Sequence, residues 1–223
     1  MDTLEYKIFY RRHLPHIQPP GATFFLTYRL AGSLPAAIQE ELLAEGERIE
    51  KMLSQIENPD ERVKQAYLEQ RRMFGKWDAA LDTASAGPQW LADDRVAQIV
   101  AESLHHLHGN MYDLDTYCIM SNHAHAVFTP LVREETAEDE SYYALSTIMH
   151  SHKRHTARQS NRVLGREGQF WQHESYDHVV RNEQELQRIR RYIIQNPVKA
   201  GLVAHWEEWP WSYCKAFATD GEG

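Results

Sequence analysis

The sequence predicts a domain of mixed strands and helices, on three observations. Residues 22–30, 111–120 and 123–129 are rich in Thr, Phe, Tyr and Val, as strands are. Longer stretches between and after them repeat apolar residues at three- and four-residue spacing, as helices do. Ser121-Asn122 makes a two-residue, hairpin-like break between the second and third strands. At 223 residues, 42% hydrophobic and 11% aromatic, the chain suits one compact domain with a core and room for an inserted arm.

Residues 1–21 are basic and proline-bearing and read as an extended lead-in that includes Arg11 and Arg12. Ala22 to Leu30 is the first strand, ended by Gly32-Ser33. Pro35 to Ile56 reads as a helix with Leu42, Leu43, Ile49, Met52 and Leu53 as its apolar stripe. Asn58-Pro59-Asp60 restarts the chain into a second helix through about Met73, followed by a short helix and a loop at Ala86-Gly87-Pro88. A third helix, Asp93 to about Leu107, has Val96, Ile99, Val100 and Leu104 at helical spacing. His105, His106 and His108 at its end suit the negative pole of a helix.

Met111 to Met120 and His123 to Thr129 are the second and third strands. Arg133 to Glu140 is an acidic loop, and Tyr142 to about Val163 a helix with Leu145, Ile148 and Met149 on its apolar side. Phe170 to Val180 is strand-like in part. Glu183 to Asn196 is a helix that Pro197 closes. The tail, residues 202–223, holds Trp206, Trp209, Trp211 and Tyr213, which should pack back on the core.

The chemistry centres on His123-Ala124-His125, set between the apolar runs Cys118-Ile119-Met120 and Ala126-Val127-Phe128. Alternate residues of a strand share a face, so the two imidazoles project together, about 6.5–7 Å apart at the backbone. Imidazoles so placed can converge on one metal ion. A bare His-x-His is more often two surface histidines, but these flanks belong to the middle of a sheet. Tyr192 and Asn196 lie four residues apart on one helical face, after Arg188, Arg190 and Arg191.

The net charge of −8 argues weakly against nucleic acid. His150 to Ala200, with ten Lys+Arg and five acids, is nonetheless +5, leaving −13 elsewhere. That asymmetry suits a local anion site. Cys118 and Cys214 form neither a disulfide framework nor a thiolate metal site. No apolar run approaches a membrane span and no secretory signal is evident, so the expectation is a cytoplasmic protein.

SNHAHAVF resembles the His-hydrophobic-His motif of single-tyrosine HUH transposases. RRYIIQNPVKAGLV followed by WPWSY, and FWQHESYDHVVR, resemble signatures of the REP-associated tyrosine transposase branch. The resemblance covers Ala22 to Leu30 and most of residues 111–213. It implies a ferredoxin-like α+β fold, an antiparallel sheet flanked by helices; the long span between the first two strands departs from that pattern, and residues 57–93 read as a helical insertion. It implies Tyr192 as nucleophile and His123, His125 and Asn196 as ligands of Mg²⁺ or Mn²⁺. The implied activity is a single-stranded DNA endonuclease and strand transferase with a 5′-phosphotyrosine intermediate, acting at palindromic hairpins as monomer or homodimer. Lys153, Arg154, Arg158, Arg181 and Arg191, with Arg11 and Arg12, are the candidate DNA contacts. The competing readings are a hairpin-binding protein without chemistry and a metal hydrolase of small substrates.

Overall fold

The computed structural model describes residues 21–83, 87–132 and 142–217. Arg11, Arg12 and the acidic loop at 133–140 lie outside the described residues. The elements in order are β1 (Phe24–Leu30), α1 (Ala36–Ser54), α2 (Pro59–Thr83), α3 (Asp94–Leu107), β2 (Tyr112–Ile119) and β3 (His123–Pro130). There follow α4 (Leu145–Val163), β4 (Trp171–Val179), α5 (Glu183–Ile194), α6 (Asn196–Lys199) and β5 (Ser212–Cys214). Among the described residues no helix is long and apolar enough to cross a membrane.

The chain divides into two compact units, and Gly32–Pro88 belongs to one of them. It is a pair of helices, α1 and α2, packed through Leu42, Ile49, Leu53, Ala66 and Met73. The Asn58 side chain starts α2 by accepting from the Asp60 and Glu61 amides. The sequence ended this helix near Met73, yet it runs through Gly75 to Thr83. A helical glycine costs about 1 kcal/mol against alanine. The extension offsets that cost by bringing Trp77 and Ala80 against the α1–α2 cluster.

The other unit holds the five strands, in the order β4-β1-β3-β2-β5, every pair antiparallel. The first four strands follow the β-α-β-β-α-β plan of a ferredoxin-like fold, with the α1–α2 pair inserted between β1 and α3. One face packs Phe24, Leu26, Tyr28, Leu30, Leu114, Ile119 and Phe128 against α3 and α4. Fully burying such a side chain contributes about 1.5–3 kcal/mol. All seven residues of β1 are buried, polar Thr27 and charged Arg29 included, so both faces of this strand are covered.

Between Leu114 and Thr116 the β2–β3 register slips, leaving Asp115 as a bulged residue. β5 extends the sheet by pairing Ser212, Tyr213 and Cys214 with β2. The aromatic tail carried no strand signal, because three residues are too few to display a period. α5 stops at Ile194, just short of the expected Asn196, and Asn196 is itself helical, with Pro197 in the first turn of the four-residue α6, where its missing amide costs no hydrogen bond.

Candidate metal centre and nucleophile

Strand alternation puts His123 and His125 on the sheet face opposite the α3–α4 core. Thr27 is the ladder partner of His125 on β1, Cys118 its partner on β2, and Tyr176 of β4 pairs with Thr27. Both histidines are essentially without solvent contact, at 1% and 0% exposure. Their Nε2 atoms lie 3.1 Å apart. Two nitrogens each about 2.1 Å from one ion and at right angles would be about 3.0 Å apart, so the pair is already spaced as adjacent ligands.

The outer nitrogens are also engaged. His123 Nδ1 lies 2.7 Å from Asn122 Oδ1. An amide oxygen only accepts, so Nδ1–H donates and the Nε2 lone pair is left to face inward. His125 Nδ1 meets Thr27 Oγ1 at 2.7 Å, and that hydroxyl can donate or accept. Such outer partners fix the tautomer and ring orientation of metal-binding histidines. The sequence assigned no role to Asn122 beyond the turn and none to Thr27. Asn122 adjoins the histidine motif and could have been suspected, but nothing local marks the register that brings Thr27 to His125.

α5 places its tyrosine on this same face. The Tyr192 ring stands edge-on to His125, with centroids 5.7 Å apart, and edge-on to Phe25 at 6.2 Å. Lys199 holds its ammonium 4.7 Å above the tyrosine ring, seven residues on and so on the same side of the helix. Asn196, one turn after Tyr192, is 1% exposed, and neither of its amide atoms has a hydrogen-bond partner among the described residues. A buried amide left unpaired costs about 1–3 kcal/mol. Two imidazoles with facing Nε2 atoms and an orphaned amide one turn after Tyr192 are donor types that suit a divalent cation whose shell water and phosphate oxygens would complete.

Arg29 is the ladder partner of His123 and is 8% exposed, with burial lowering its pKa. The sequence did not single it out. Among the candidate DNA contacts, Lys153 is not a surface cation. Its ammonium donates to the carbonyls of Gln172 and His173 and to Ser175 Oγ, and burial pushes its pKa down to about 8. Arg154 and Arg158 are exposed on α4, behind the sheet from the histidines, whereas Arg181 and Arg191 are exposed on the α5 side.

No protein-family model matches the chain. A curated Haemophilus influenzae protein, described as a "Putative REP-associated tyrosine transposase", is 30% identical over 102 residues, or 43% of this chain. Over that stretch the chain is similar to a protein described as a REP-associated tyrosine transposase. It spans about half the length of that curated relative, 54%. A solved REP-associated tyrosine transposase bound to a REP hairpin aligns with 92% of this chain and 81% of its own, at 17% identity and a TM-score of 0.47. The resemblance read from the SNHAHAVF and RRYIIQNPVKAGLV motifs has a counterpart in this 102-residue sequence match.

Proposed function

We propose that the protein is a divalent-metal-dependent nuclease and strand transferase of single-stranded or hairpin DNA, with Tyr192 as its nucleophile. The observation that supports this most directly is the stacking of the Tyr192 ring edge-on to His125, whose Nε2 meets that of His123 at 3.1 Å. A metal hydrolase using water would have no need of that tyrosine.

His123, His125 and Asn196 would hold Mg²⁺ or Mn²⁺, and the bound ion would supply Lewis-acid polarisation of the scissile phosphate and a template for it. Tyr192 Oη attacks phosphorus while the bond to the 3′-oxygen breaks. The phenolic proton ends on that oxygen, giving a 5′-phosphotyrosine and a free 3′-OH. The 3′-OH can reverse the step on another end, so strand transfer needs no external energy source. Phe25 and His125 fix the ring's plane, and the Lys199 ammonium places positive charge beside the attacking group. Arg181 and Arg191 stand on the nucleophile's side of the sheet and would hold the phosphates flanking the cut. Arg154 and Arg158, behind the sheet, would hold a more distant part of the DNA. Arg11 and Arg12 are proposed as additional contacts.

The test incubates the protein with imperfect-palindrome oligonucleotides from DNA flanking its gene, with Mn²⁺ or Mg²⁺, and resolves the products on a denaturing gel. A protein–DNA adduct lost both in Tyr192→Phe and with chelator is the expected result. Cleavage that survives Tyr192→Phe would transfer the attack to water. Binding without any adduct would leave a hairpin-binding protein.

A further inference from the structure

α5 does not rest on the sheet by apolar packing alone. Two polar contacts tie it down, one from each side of the histidine strand, and neither has a part in the chemistry above. At its N-terminal end, Glu185 is 4% exposed and accepts the Arg181 amide at 2.9 Å on Oε2. Its Oε1 lies 3.2 Å from Nε2 of His178 on β4, itself 5% exposed. Asn182 caps the same turn by accepting the Glu185 amide at 2.9 Å. Arg188 reaches the same carboxylate only distantly, at 3.8 Å.

Further along, Arg190 grips Asp115 of β2 with two parallel contacts, Nε to Oδ1 at 2.8 Å and Nη2 to Oδ2. Both side chains are largely out of water, at 14% and 15% exposure. Asp115 is the bulged residue of β2, and bulges commonly re-aim a side chain out of the regular ladder. Burial pushes its carboxyl pKa up, but hydrogen bonds from Arg190 and Thr116 outweigh that and hold it below the usual carboxylate range.

Buried charges are a poor way to gain stability, because desolvation consumes most of the attraction. They do fix direction, since a bidentate guanidinium–carboxylate pair tolerates little rotation. β4 and β2 lie on opposite sides of the β1–β3 pair that holds Thr27, His123 and His125. The two contacts therefore straddle the histidines and bracket the helix that bears Tyr192. We propose that His178–Glu185 and Asp115–Arg190 are positioning pairs that set the approach of Tyr192 to the histidines. The inference rests on the nuclease reading, for it assigns these residues no contact with DNA.

The test uses the full chain with Glu185→Gln, which keeps the shape and removes the charge, and Asp115→Asn. Two readouts are taken: the first-order rate of adduct formation at saturating oligonucleotide with Mn²⁺, and hydrogen exchange of the amides of residues 186–194. Each variant is expected to slow the saturated rate at least tenfold, leave oligonucleotide Kd within twofold, and speed exchange along α5. The charge-swapped pair Asp115→Arg with Arg190→Asp should recover part of the rate lost in Asp115→Asn. Parental exchange along α5 in both variants overturns the proposal, as does faster exchange with an unchanged rate. If the unsubstituted protein forms no adduct, the nuclease reading itself has failed, and exchange alone then decides whether these pairs hold the helix.

Discussion

Thr27 and Asn122 govern what the two site histidines can do. With Asn122 Oδ1 taking the Nδ1 proton, His123 has one available tautomer. His125 has two, because the Thr27 hydroxyl can serve either. Without an ion, a self-consistent chain runs from the Thr27 hydroxyl to His125 Nδ1, from His125 Nε2–H to His123 Nε2, and from His123 Nδ1–H to Asn122. To offer its Nε2 lone pair to an ion, His125 would carry its proton on Nδ1, and the Thr27 hydroxyl would accept it. Thr27→Val removes that adjustable partner, and Asn122→Ala frees His123 to adopt the wrong tautomer. Each is expected to weaken Mn²⁺ binding about 10–100-fold, as loss of such outer partners does elsewhere. Thr27→Ser should bind as the parent does. Manganese titration followed by electron paramagnetic resonance reads this without DNA, and equal affinity in Thr27→Val would dismiss the tautomer role.

Between elements, β1, α3 and α4 are joined by a buried polar chain. Tyr28 Oη lies 2.9 Å from His152 Nε2, and Ser103 Oγ 2.9 Å from its Nδ1. Burial, with some help from Lys153 and His155, pushes the His152 pKa down to about 3 from an ordinary 6.5. The folded chain thus keeps this imidazole neutral where the unfolded chain protonates it. Stability contributed by the site is intact above pH 6.5 and lost as pH falls toward 3, at up to about 1.4 kcal/mol per pH unit. His152→Gln retains a donor and an acceptor but cannot titrate, so urea midpoints from pH 7 to 4 should fall less steeply in the variant. Parallel curves would refute the linkage. Nothing in the sequence set His152 apart from its neighbours His150 and His155, because helical phase shows which side of α4 is buried but not which hydroxyls wait there. What was legible had a local signal: the histidine alternation, the apolar stripes of α3 and α4, and the stop of α5 ahead of Pro197. Strand β5, the run of α2 past Gly75 and the Asp115 bulge were not, because each is settled by a partner distant in sequence.

Across the whole molecule, the difficulty for a DNA enzyme is a net charge of −8. The basic segment does not form one patch. The fold sends Arg154 and Arg158 to α4 on one side of the sheet, and Arg181 and Arg191 to the α5 side, with β4 as the edge strand between them. A nucleic acid touching both pairs must pass from one face of the sheet to the other, and at the β4 edge Lys153 is already engaged by the strand's carbonyls. Affinity should come from few phosphates, and the slope of log K against log salt, about −0.7 per phosphate for a single strand, counts them. Arg154→Ala and Arg158→Ala are each expected to make that slope about one unit shallower. Because the sheet separates them from Tyr192, they should leave the adduct rate at saturating DNA within about twofold. Arg181→Ala and Arg191→Ala should reduce both slope and rate, since they flank the nucleophile. A saturated rate that fell equally in all four variants would mean that the arginines on α4 reach the cut after all, and that the DNA does not divide between the two faces of the sheet.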